Sequence, residues 1–340
     1  MSRTRGHGVI PANKVKHVVI ILKENHTFDN YFGTFPGANG VRLPRSSNPP
    51  ARDAPHTHAA WLTRQTTAVH EQFVEQDIPA YFSYARKFSL CDNYFTDVAG
   101  PSTPNHLMLL CADSPIIDNP PRRSPPTIKI SASLPKSLEQ SRLTWRSYGG
   151  YAINYLQGIN AKWKLPSEQF RVDATAGQLP DVSWVYAPLE FDEHPPYSNP
   201  QGVRMGNVTK GMQWSVDQVN AIVRGGLWPD TAVFITWDDW GGWYDHVEPP
   251  AVEVWNGNGA HPGYPGSQFR YGPRVGCIVL GPYVRNGYIS KVLHSHVSLL
   301  KFCEGNFGLA TLNQRDARSD DMLDCFDFNK SPTPPPPAMP

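Results

Sequence analysis

Residues 15–26, VKHVVIILKENH, decide the fold, because an unbroken apolar run ends there in a group of polar side chains. A short run that is rich in β-branched residues and lacks polar alternation is typical of a strand covered on both faces. We therefore predict a buried strand at Val15–Leu22. Runs of the same kind at Ala232–Trp237 and Val275–Leu280 predict two more strands of a mostly parallel sheet.

Helical segments alternate with these strands. We predict helices at Pro104–Cys111, Gly211–Arg224 and Ser295–Asn306, and this alternation favours a layered α/β fold. The chain has 340 residues, of which 40% are apolar, so we expect one packed domain over residues 1–330. The last residues, 331–340 (SPTPPPPAMP), predict a Pro-rich, disordered tail outside the core.

The composition of the chain argues against some classes of binding partner. The net charge of +1 and the lack of a basic stripe argue against nucleic-acid binding. The apolar runs are too short for a transmembrane segment. Residues 1–14 lack the apolar region of a secretory signal, which predicts a cytoplasmic protein by default and a secreted one if the N-terminus is truncated. The oligomeric state stays open.

The five cysteines lie at wide, irregular spacings: Cys91, Cys111, Cys277, Cys303 and Cys325. They form no CxxC pair, which argues against a zinc ribbon or a thioredoxin-like site. We expect most of them to be small buried side chains. The spacing leaves open whether Cys303 and Cys325 form a disulfide.

Glu24 and Asn25 directly follow the first predicted strand. In open α/β sheets, ligands gather at the carboxyl ends of strands, and carboxylate and amide oxygens suit a hard metal ion. The same residues also suit the N-terminus of a helix, and their spacing alone favours that simpler interpretation.

Asp238 and Asp239 follow the strand predicted at Ala232–Trp237. Adjacent aspartates repel one another unless a cation or a cap neutralises them. Gly241 and Gly242 would let the backbone bend closely around an ion. The pattern favours a metal site slightly over a solvated acidic turn.

The segment 100–105, GPSTPN, precedes a predicted helix. Pro104 suits the first turn of that helix, which puts Ser102 or Thr103 at its N-terminus. A hydroxyl group there faces unpaired amides, a favourable place for a phosphate. Ordinary helix capping explains the same pattern and is favoured when this motif is taken alone.

The histidines that offer acid–base groups are His58, His194, His246, His294 and His296. Two His-x-His pairs suggest zinc ligands. The pair His56/His58 lies in a polar, Pro-bearing segment, which fits such a site poorly. The pair His294/His296 opens a helix and suits capping or core packing equally well.

Five segments, taken in order, resemble the bacterial phosphoesterase family that contains phosphocholine-preferring phospholipases C and an acid phosphatase. They are VKHVVIILKENHTFDNYFGTFPG (15–37), SLCDNYFTDVAGPSTPNHL (89–107), TAVFITWDDWGGWYDHVEPP (231–250), RVGCIVLGPYVRNGYI (274–289) and HSHVSLLKFCEGNFGL (294–309). The resemblance covers nearly the whole chain outside the tail. It implies a three-layer α/β sandwich with a mostly parallel central sheet, alkaline-phosphatase-like, and a phosphoric ester hydrolase.

The resemblance also implies a metal site formed by Glu24, Asn25, Ser102, Asp238 and Asp239. It implies one divalent ion, and the oxygen ligands favour Mg²⁺, Mn²⁺ or Ca²⁺, with Zn²⁺ also compatible. Ser102 would be the nucleophile that forms a phosphoseryl intermediate, or Thr103 if the register slips by one.

The active-site histidines implied by the resemblance are His194 and His58, and His194 would protonate the leaving alcohol. His246 and His296 are candidate neighbours of the site.

Two positions depart from the family pattern. The family commonly has Asn-Arg where this chain has Asn25-His26 and Asn105-His106. Loss of the second arginine removes a bidentate phosphate or structural contact. The chain is also shorter than the larger phospholipases and lacks their extra C-terminal domains, which weakens a phospholipid assignment. The expected substrate is a small phosphate ester or a phospholipid headgroup. The alternative is a catalytically degenerate member that binds phosphate or metal without turnover.

Overall fold

The computed structural model describes residues 10–11, 14–121, 127–196, 205–250 and 271–337. Within these ranges, nine strands form one sheet. The strands are β1 (His17–Lys23), β2 (Ser89–Phe95), β3 (Trp145–Tyr148), β4 (Lys164–Leu165), β5 (Val182–Tyr186), β6 (Thr231–Trp237), β7 (Arg274–Leu280), β8 (Tyr288–Ser290) and β9 (His294–Ser295).

The strand order is β4-β3-β5-β1-β6-β7-β2-β8, and β9 also pairs with β2. β1 pairs in parallel with β5 and β6, whereas β7 is antiparallel to both β6 and β2. Among the described strands, β7 alone runs against the others. The carboxyl ends of β1, β2, β5 and β6 therefore meet at one edge of the sheet, where open α/β folds bind their ligands.

The helices pack on this sheet in two groups. They are α1 (Phe28–Phe32), α2 (His58–Leu62), α3 (Arg64–Thr67), α4 (Pro79–Lys87), α5 (Ser102–Cys111), α6 (Leu134–Gln140), α7 (Gln169–Thr175), α8 (Val208–Arg224), α9 (His296–Phe307) and α10 (Gln314–Arg318). None of these described helices combines the length and the apolar composition that a bilayer span requires.

The two faces of the sheet are covered by different helices. On β6, the Phe234 ring packs against Phe302 of α9, with centroids 5.1 Å apart, and Trp237 packs against Tyr81 of α4, with centroids 5.4 Å apart. Because side chains alternate along a strand, these two residues point to opposite faces. α8 packs with α4 and α7, and α9 packs with α5 and α10. The result is a sheet between two helical layers.

The three predicted strands are confirmed as β1, β6 and β7, and the three predicted helices as α5, α8 and α9. The expectation of a mostly parallel sheet holds, although β7 is antiparallel. An apolar run buried on both faces looks the same in either direction, so its pattern could not reveal this. β2 was missed because it mixes polar and apolar residues, so it lacks the continuous apolar run by which the other strands were predicted.

The described part of the Pro-rich tail, residues 331–337, packs on the domain. Trp228 Nε1 donates to the Thr333 carbonyl at 3.0 Å, and Lys87 Nζ donates to the Pro335 carbonyl at 2.8 Å. Proline removes an amide donor but keeps its carbonyl acceptor, so an extended Pro-rich segment can still be bound. This corrects the prediction of a disordered tail for these residues, while the single-domain boundary stays a prediction.

All five cysteines are buried and none forms a disulfide. The prediction of small buried side chains is therefore confirmed. The Cys303–Cys325 pairing that the spacing left open is not formed.

Candidate active site

The carboxyl ends of β1 and β6 bring two of the predicted motifs together. The strands pair in parallel, with Lys23 opposite Trp237, so Glu24 and Asp238 leave the sheet at the same level. The Asp238 amide donates to the Lys23 carbonyl at 2.9 Å, and the Asn25 amide donates to Asp238 Oδ1 at 2.9 Å. Neighbouring strands lie about 4.8 Å apart, which places both polar groups around one small volume.

The backbone at this edge bends as the glycines predict. Asn25 has a φ of 65° and Gly241 a φ of 56°, both in the left-handed region. A Cβ atom at Gly241 would come within 2.4 Å of the Asn25 carbonyl oxygen. The Gly241 amide donates to Asp239 Oδ1 at 2.7 Å, which orients this carboxylate toward the cluster. Only glycine permits this close approach.

Ser102 is the first residue of α5 and is buried. Its hydroxyl donates to Asp239 Oδ2 at 3.0 Å and lies 3.5 Å from Glu24 Oε2. Asn105 holds the preceding turn, because its Nδ2 donates to the Pro101 carbonyl at 3.2 Å. The hydroxyl therefore lies between carboxylates that follow two different strands.

The carboxylates of this cluster differ in pKa. Burial raises the pKa of Glu24 well above its usual range, and the charge of Asp238 adds to this. Burial and the charge of Asp238 likewise raise the pKa of Asp239. Burial also opposes ionisation of Asp238, but the hydrogen bond and charge of His106 outweigh it and lower the pKa to about 2. A bound cation would favour the ionised form of all three acids.

The side-chain amide of Asn25 bridges the acids and two histidines. One end lies 3.2 Å from Asp238 Oδ1 and 3.3 Å from Asp239 Oδ1. The other end lies 2.9 Å from His194 Nε2 and 3.5 Å from His56 Nε2. The amide nitrogen can face either pair, and the chemistry of the histidines distinguishes the two orientations.

Both histidine rings place Nδ1 2.8 Å from a backbone carbonyl, His194 from Pro195 and His56 from Ala54. A neutral ring in this position carries its hydrogen on Nδ1 and accepts at Nε2. The Asn25 amide nitrogen then faces the rings, and its oxygen faces the aspartates. Three oxygen atoms with no hydrogen between them fit a bound cation, so the donor set is compatible with the predicted metal site.

His106 lies one turn after Ser102 on the same face of α5. Its Nε2 lies 3.2 Å from Asp238 Oδ2 and 3.9 Å from Glu24 Oε1. The ring packs beside Tyr151, with centroids 5.2 Å apart. The helix that positions the serine therefore also positions a partner for the carboxylates.

The loop after β5 brings His194 to the site, and the buried Glu193 anchors this loop. Glu193 accepts hydrogen bonds at 2.7–2.9 Å from Tyr31, Tyr81 and Trp237, and its carboxylate lies 3.3 Å from Lys23 Nζ. The charged anchor is fully satisfied inside the core, as a buried carboxylate must be.

A cavity of about 790 Å³ opens beside these acids. Polar and aromatic side chains contribute to its wall, among them Glu24, His56, His106, Tyr151, Tyr186 and His194. This volume lies within the range of small-molecule sites, about 300–1,000 Å³. The site therefore combines a hydroxyl, a group of acids and room for an organic ligand.

A family model described as the phosphoesterase family matches residues 15–51 and 51–310. The chain belongs to the phosphoesterase family. The matched residues contain the acids at the ends of β1 and β6, Ser102 and His194.

Curated relatives of this phosphoesterase family member include two bacterial proteins. Non-hemolytic phospholipase C of Pseudomonas aeruginosa is 26% identical over 428 residues, covering 99% of this chain and 60% of that protein. Phospholipase C B of Mycobacterium tuberculosis is 24% identical over 448 residues, covering 100% of this chain and 83% of that protein. The chain thus spans less than two thirds of the length of the Pseudomonas relative.

Solved structures share the fold of this phosphoesterase family member. Human ectonucleotide pyrophosphatase/phosphodiesterase 5 aligns with a TM-score of 0.50 at 9% identity, over 92% of this chain and 100% of that one. A sulfatase structure concerned with glycosaminoglycan metabolism by Bacteroides thetaiotaomicron aligns with a TM-score of 0.52 at 10% identity, over 92% and 81%. The α/β fold with a mostly parallel central sheet that the resemblance implied is confirmed.

Most of the residues predicted for the active site lie together in the structure. They are Glu24, Asn25, Ser102, His194, Asp238 and Asp239. His296 is a neighbour, because its Nε2 lies 3.0 Å from the Asp238 carbonyl. Their roles in catalysis and metal binding stay predictions.

Two predicted histidines contact other segments of the described chain. His58 begins α2, and its Nδ1 lies 2.6 Å from the Ala99 carbonyl, whereas His56 is the member of that pair that lines the cavity. His246 Nδ1 lies 2.6 Å from Asp29 Oδ2, in a separate cluster with Arg274. These placements give His58 a structural contact beside the serine turn and remove His246 from the acids.

Sequence reasoning missed His106, His56 and Tyr151 as parts of the site. The four-residue spacing between Ser102, at the N-terminus of a predicted helix, and His106 within it was a usable signal, because residues so spaced share a helix face. His56 lay beside a candidate that was considered. Tyr151 carried no signal, since it comes from a segment outside the five family-like stretches.

Proposed function

We propose that this protein hydrolyses phosphate esters, with Ser102 as the nucleophile and one divalent metal ion bound by Glu24, Asn25, Asp238 and Asp239. The observation that carries the proposal is the position of the Ser102 hydroxyl, 3.0 Å from Asp239 Oδ2 and 3.5 Å from Glu24 Oε2. A hydroxyl held against an acceptor carboxylate, with the cavity-lining Glu24 on its other side, has the arrangement of an activated nucleophile.

The orientation of the neighbouring hydroxyl supports Ser102 over Thr103. Thr103 Oγ1 lies 2.8 Å from the Tyr151 hydroxyl, so it is engaged with the cavity wall. Ser102 alone of the two contacts the acids through its side chain.

The chain's own groups would carry the steps as follows. Ser102 Oγ attacks phosphorus in line, and Asp239, which accepts the hydroxyl hydrogen bond, is placed to receive the proton. The Oγ–P bond forms as the P–O bond to the leaving alcohol breaks. A water molecule then attacks the phosphoserine and restores the free hydroxyl.

His194 would act on the leaving group. This step requires bound substrate to displace His194 Nε2 from the Asn25 amide, so that a ring carrying a proton on Nε2 can donate it to the departing alkoxide. The neutral ring left behind can then take a proton from the attacking water. Its Nε2 lies 2.9 Å from the Asn25 side chain, so the ring is already oriented beside the acids.

The metal ion, when bound, would lower the pKa of the adjacent hydroxyl and offset negative charge on the phosphoryl oxygens. Carboxylate and amide oxygens favour Mg²⁺, Mn²⁺ or Ca²⁺, with Zn²⁺ also compatible.

Phosphodiesters with a choline-type headgroup are the substrates we favour beside simple monoesters. The two relatives described above are named phospholipases C. Tyr151 and Tyr186 also line the cavity, and aromatic faces bind quaternary ammonium groups.

The test compares hydrolysis of p-nitrophenyl phosphate and p-nitrophenylphosphorylcholine by the wild type, Ser102→Ala and Thr103→Ala, each with several divalent metals. Ser102→Ala should lose about a thousandfold or more in kcat, because the group that forms the covalent bond is gone. Thr103→Ala, the matched control, should keep most of its activity. Acid quenching during turnover should trap phosphate on the Ser102 peptide of the wild type.

Three outcomes would overturn the proposal. Normal turnover by Ser102→Ala removes the nucleophile, and inactivation confined to Thr103→Ala moves it to the next residue. Metal or phosphate binding by the wild type without hydrolysis of any ester would establish the catalytically degenerate alternative.

A further inference from the structure

Two cysteines and a histidine converge where β2 meets β8 and β9, outside the cavity described above. Cys91 lies on β2, His294 on β9, and Cys325 in a short 3-10 turn, Leu323–Cys325. The two sulfur atoms are 3.6 Å apart, and a ring nitrogen of His294 lies within 4.8 Å of both. All three side chains have an exposed fraction of 0%.

A carboxylate lies beside two members of this group. Asp324 Oδ1 lies 3.2 Å from His294 Nε2 and 3.7 Å from the Cys325 sulfur. The side chain of Asp324 is 21% exposed, so this end of the group opens toward solvent. Cys91, Cys325 and His294 thus form one group of possible metal ligands, and Asp324 contacts two of them, His294 and Cys325, from the side that opens to solvent.

We propose that Cys91, Cys325, His294 and Asp324 bind a structural Zn²⁺ ion. Tetrahedral zinc with bonds of about 2.3 Å to sulfur and about 2.0–2.1 Å to nitrogen and oxygen holds its donors about 3.8 Å (S–S), about 3.6 Å (S–O) and about 3.3 Å (N–O) apart. The corresponding separations here are 3.6, 3.7 and 3.2 Å.

The surroundings orient these donors as the outer shell of a zinc site does. His294 Nδ1 lies 2.7 Å from Asp320 Oδ1, and a carboxylate on the second ring nitrogen fixes the tautomer of a zinc-bound histidine. The Ser290 hydroxyl donates to Asp324 Oδ2, which leaves Oδ1 directed at the other donors. The Ser290 hydroxyl also lies 2.9 Å from His294 Nε2, so a bound ion would take the place of this contact.

The donor set selects the metal. Thiolate and imidazole ligands in a four-coordinate site favour zinc over Mg²⁺ or Ca²⁺, which require oxygen. Four protein ligands leave no open position, so the ion would stabilise the fold without taking part in hydrolysis.

The site would fasten the C-terminal part of the chain to the sheet. Cys325 and Asp324 lie more than two hundred positions after Cys91, and the next residue, Phe326, packs on Phe302 of α9 with centroids 5.0 Å apart. Metal binding to such distant residues contributes directly to the free energy of folding.

The experiment uses the full chain expressed in medium with Co²⁺ in place of Zn²⁺. Cobalt bound by thiolates gives a charge-transfer absorption in the near ultraviolet, which an oxygen-ligated ion at Asp239 cannot produce. The wild type should show this absorption. Cys91→Ser and Cys325→Ser should lose it, together with about one metal ion per chain.

Two control variants separate this site from other effects. Cys303→Ser removes another fully buried cysteine and should keep the absorption. Asp239→Asn alters only the acids beside Ser102 and should also keep it, so failure here is distinguishable from failure of the proposed hydrolysis.

Measurements on the wild-type protein test the proposal even if a cysteine variant does not fold. Absence of the thiolate–cobalt absorption together with five reactive thiols would overturn the proposal. A cross-linked Cys91–Cys325 peptide, which would mean a disulfide, would overturn it as well.

Discussion

His106 Nε2 lies 3.2 Å from Oδ2 of Asp238. This contact joins α5, which begins with Ser102, to the loop that follows β6. His106 stands at a position where the family commonly has arginine. Histidine lacks the planar fork of arginine, but it donates to the carboxylate and favours its ionised form. The departure from the family pattern therefore leaves the Asp238 carboxylate with a partner.

His106→Ala should lower kcat/KM by about 10–100-fold, because groups that orient metal ligands typically contribute that much. His106→Gln, which keeps a donor of similar reach, should recover part of the loss. Steady-state kinetics at several metal concentrations will measure both effects. Unchanged kinetics for His106→Ala would mean that the contact has no role in catalysis.

Adding a divalent metal to chelated protein should raise its thermal unfolding temperature. The ion would bind the folded acids and not the unfolded chain, which stabilises by about 2.7 kcal/mol when the metal concentration is 100 times Kd. Calorimetry should show a much smaller rise for Asp239→Asn. Chelation should also abolish hydrolysis, and activity that survives exhaustive chelation would exclude the metal from the reaction.

Glu193→Gln should destabilise the fold by about 3–5 kcal/mol, because it leaves the buried Lys23 ammonium without its carboxylate. Urea unfolding will give the free energy difference. Glu190→Gln, an exposed neighbour in the same loop, is the matched control and should change little. Because Glu193 precedes His194, we also expect a lower kcat, and full activity with full stability would contradict the anchoring role.

The stability of the fold should fall with rising pH because of Glu304. Burial raises its pKa to about 9, and Asp316 adds to this. Between the ordinary glutamate value of about 4.3 and the folded value, the native state holds more protons than the unfolded state, so the free energy of unfolding falls as pH rises. Below about 4.3, this stabilisation is fully present.

Glu304→Gln should flatten this pH dependence and raise the unfolding temperature near pH 8. Unfolding curves measured from pH 5 to pH 9 will show the slope. The exposed Glu168→Gln is the control and should keep the wild-type slope. An unaltered slope in Glu304→Gln would assign the effect to another group.

Local sequence patterns predicted three strands of the sheet and three of the helices. The apolar runs of β1, β6 and β7 indicated buried strands. The polar residues after β1 and β6 indicated the edge of the sheet that carries the candidate active site. Burial of apolar side chains is a requirement of each segment separately, so it leaves a pattern that can be read along the chain. The motifs at Glu24 and Asp238 were noticed because they follow such strands, and Ser102 because it precedes a predicted helix. Their assignment to one active site came from the resemblance to the family.

Only the three-dimensional arrangement revealed the direction of β7 and the places of His56 and Tyr151 in the cavity wall. These features depend on contacts between distant segments, as when the Asn25 amide reaches Asp238, 213 positions away. Hydrogen bonds and ion contacts act over a few ångströms and depend on angle, so they leave no periodic trace along the chain. Burial is written residue by residue, whereas the meeting of Asn25 with its acids and histidines is settled only when the strands have paired.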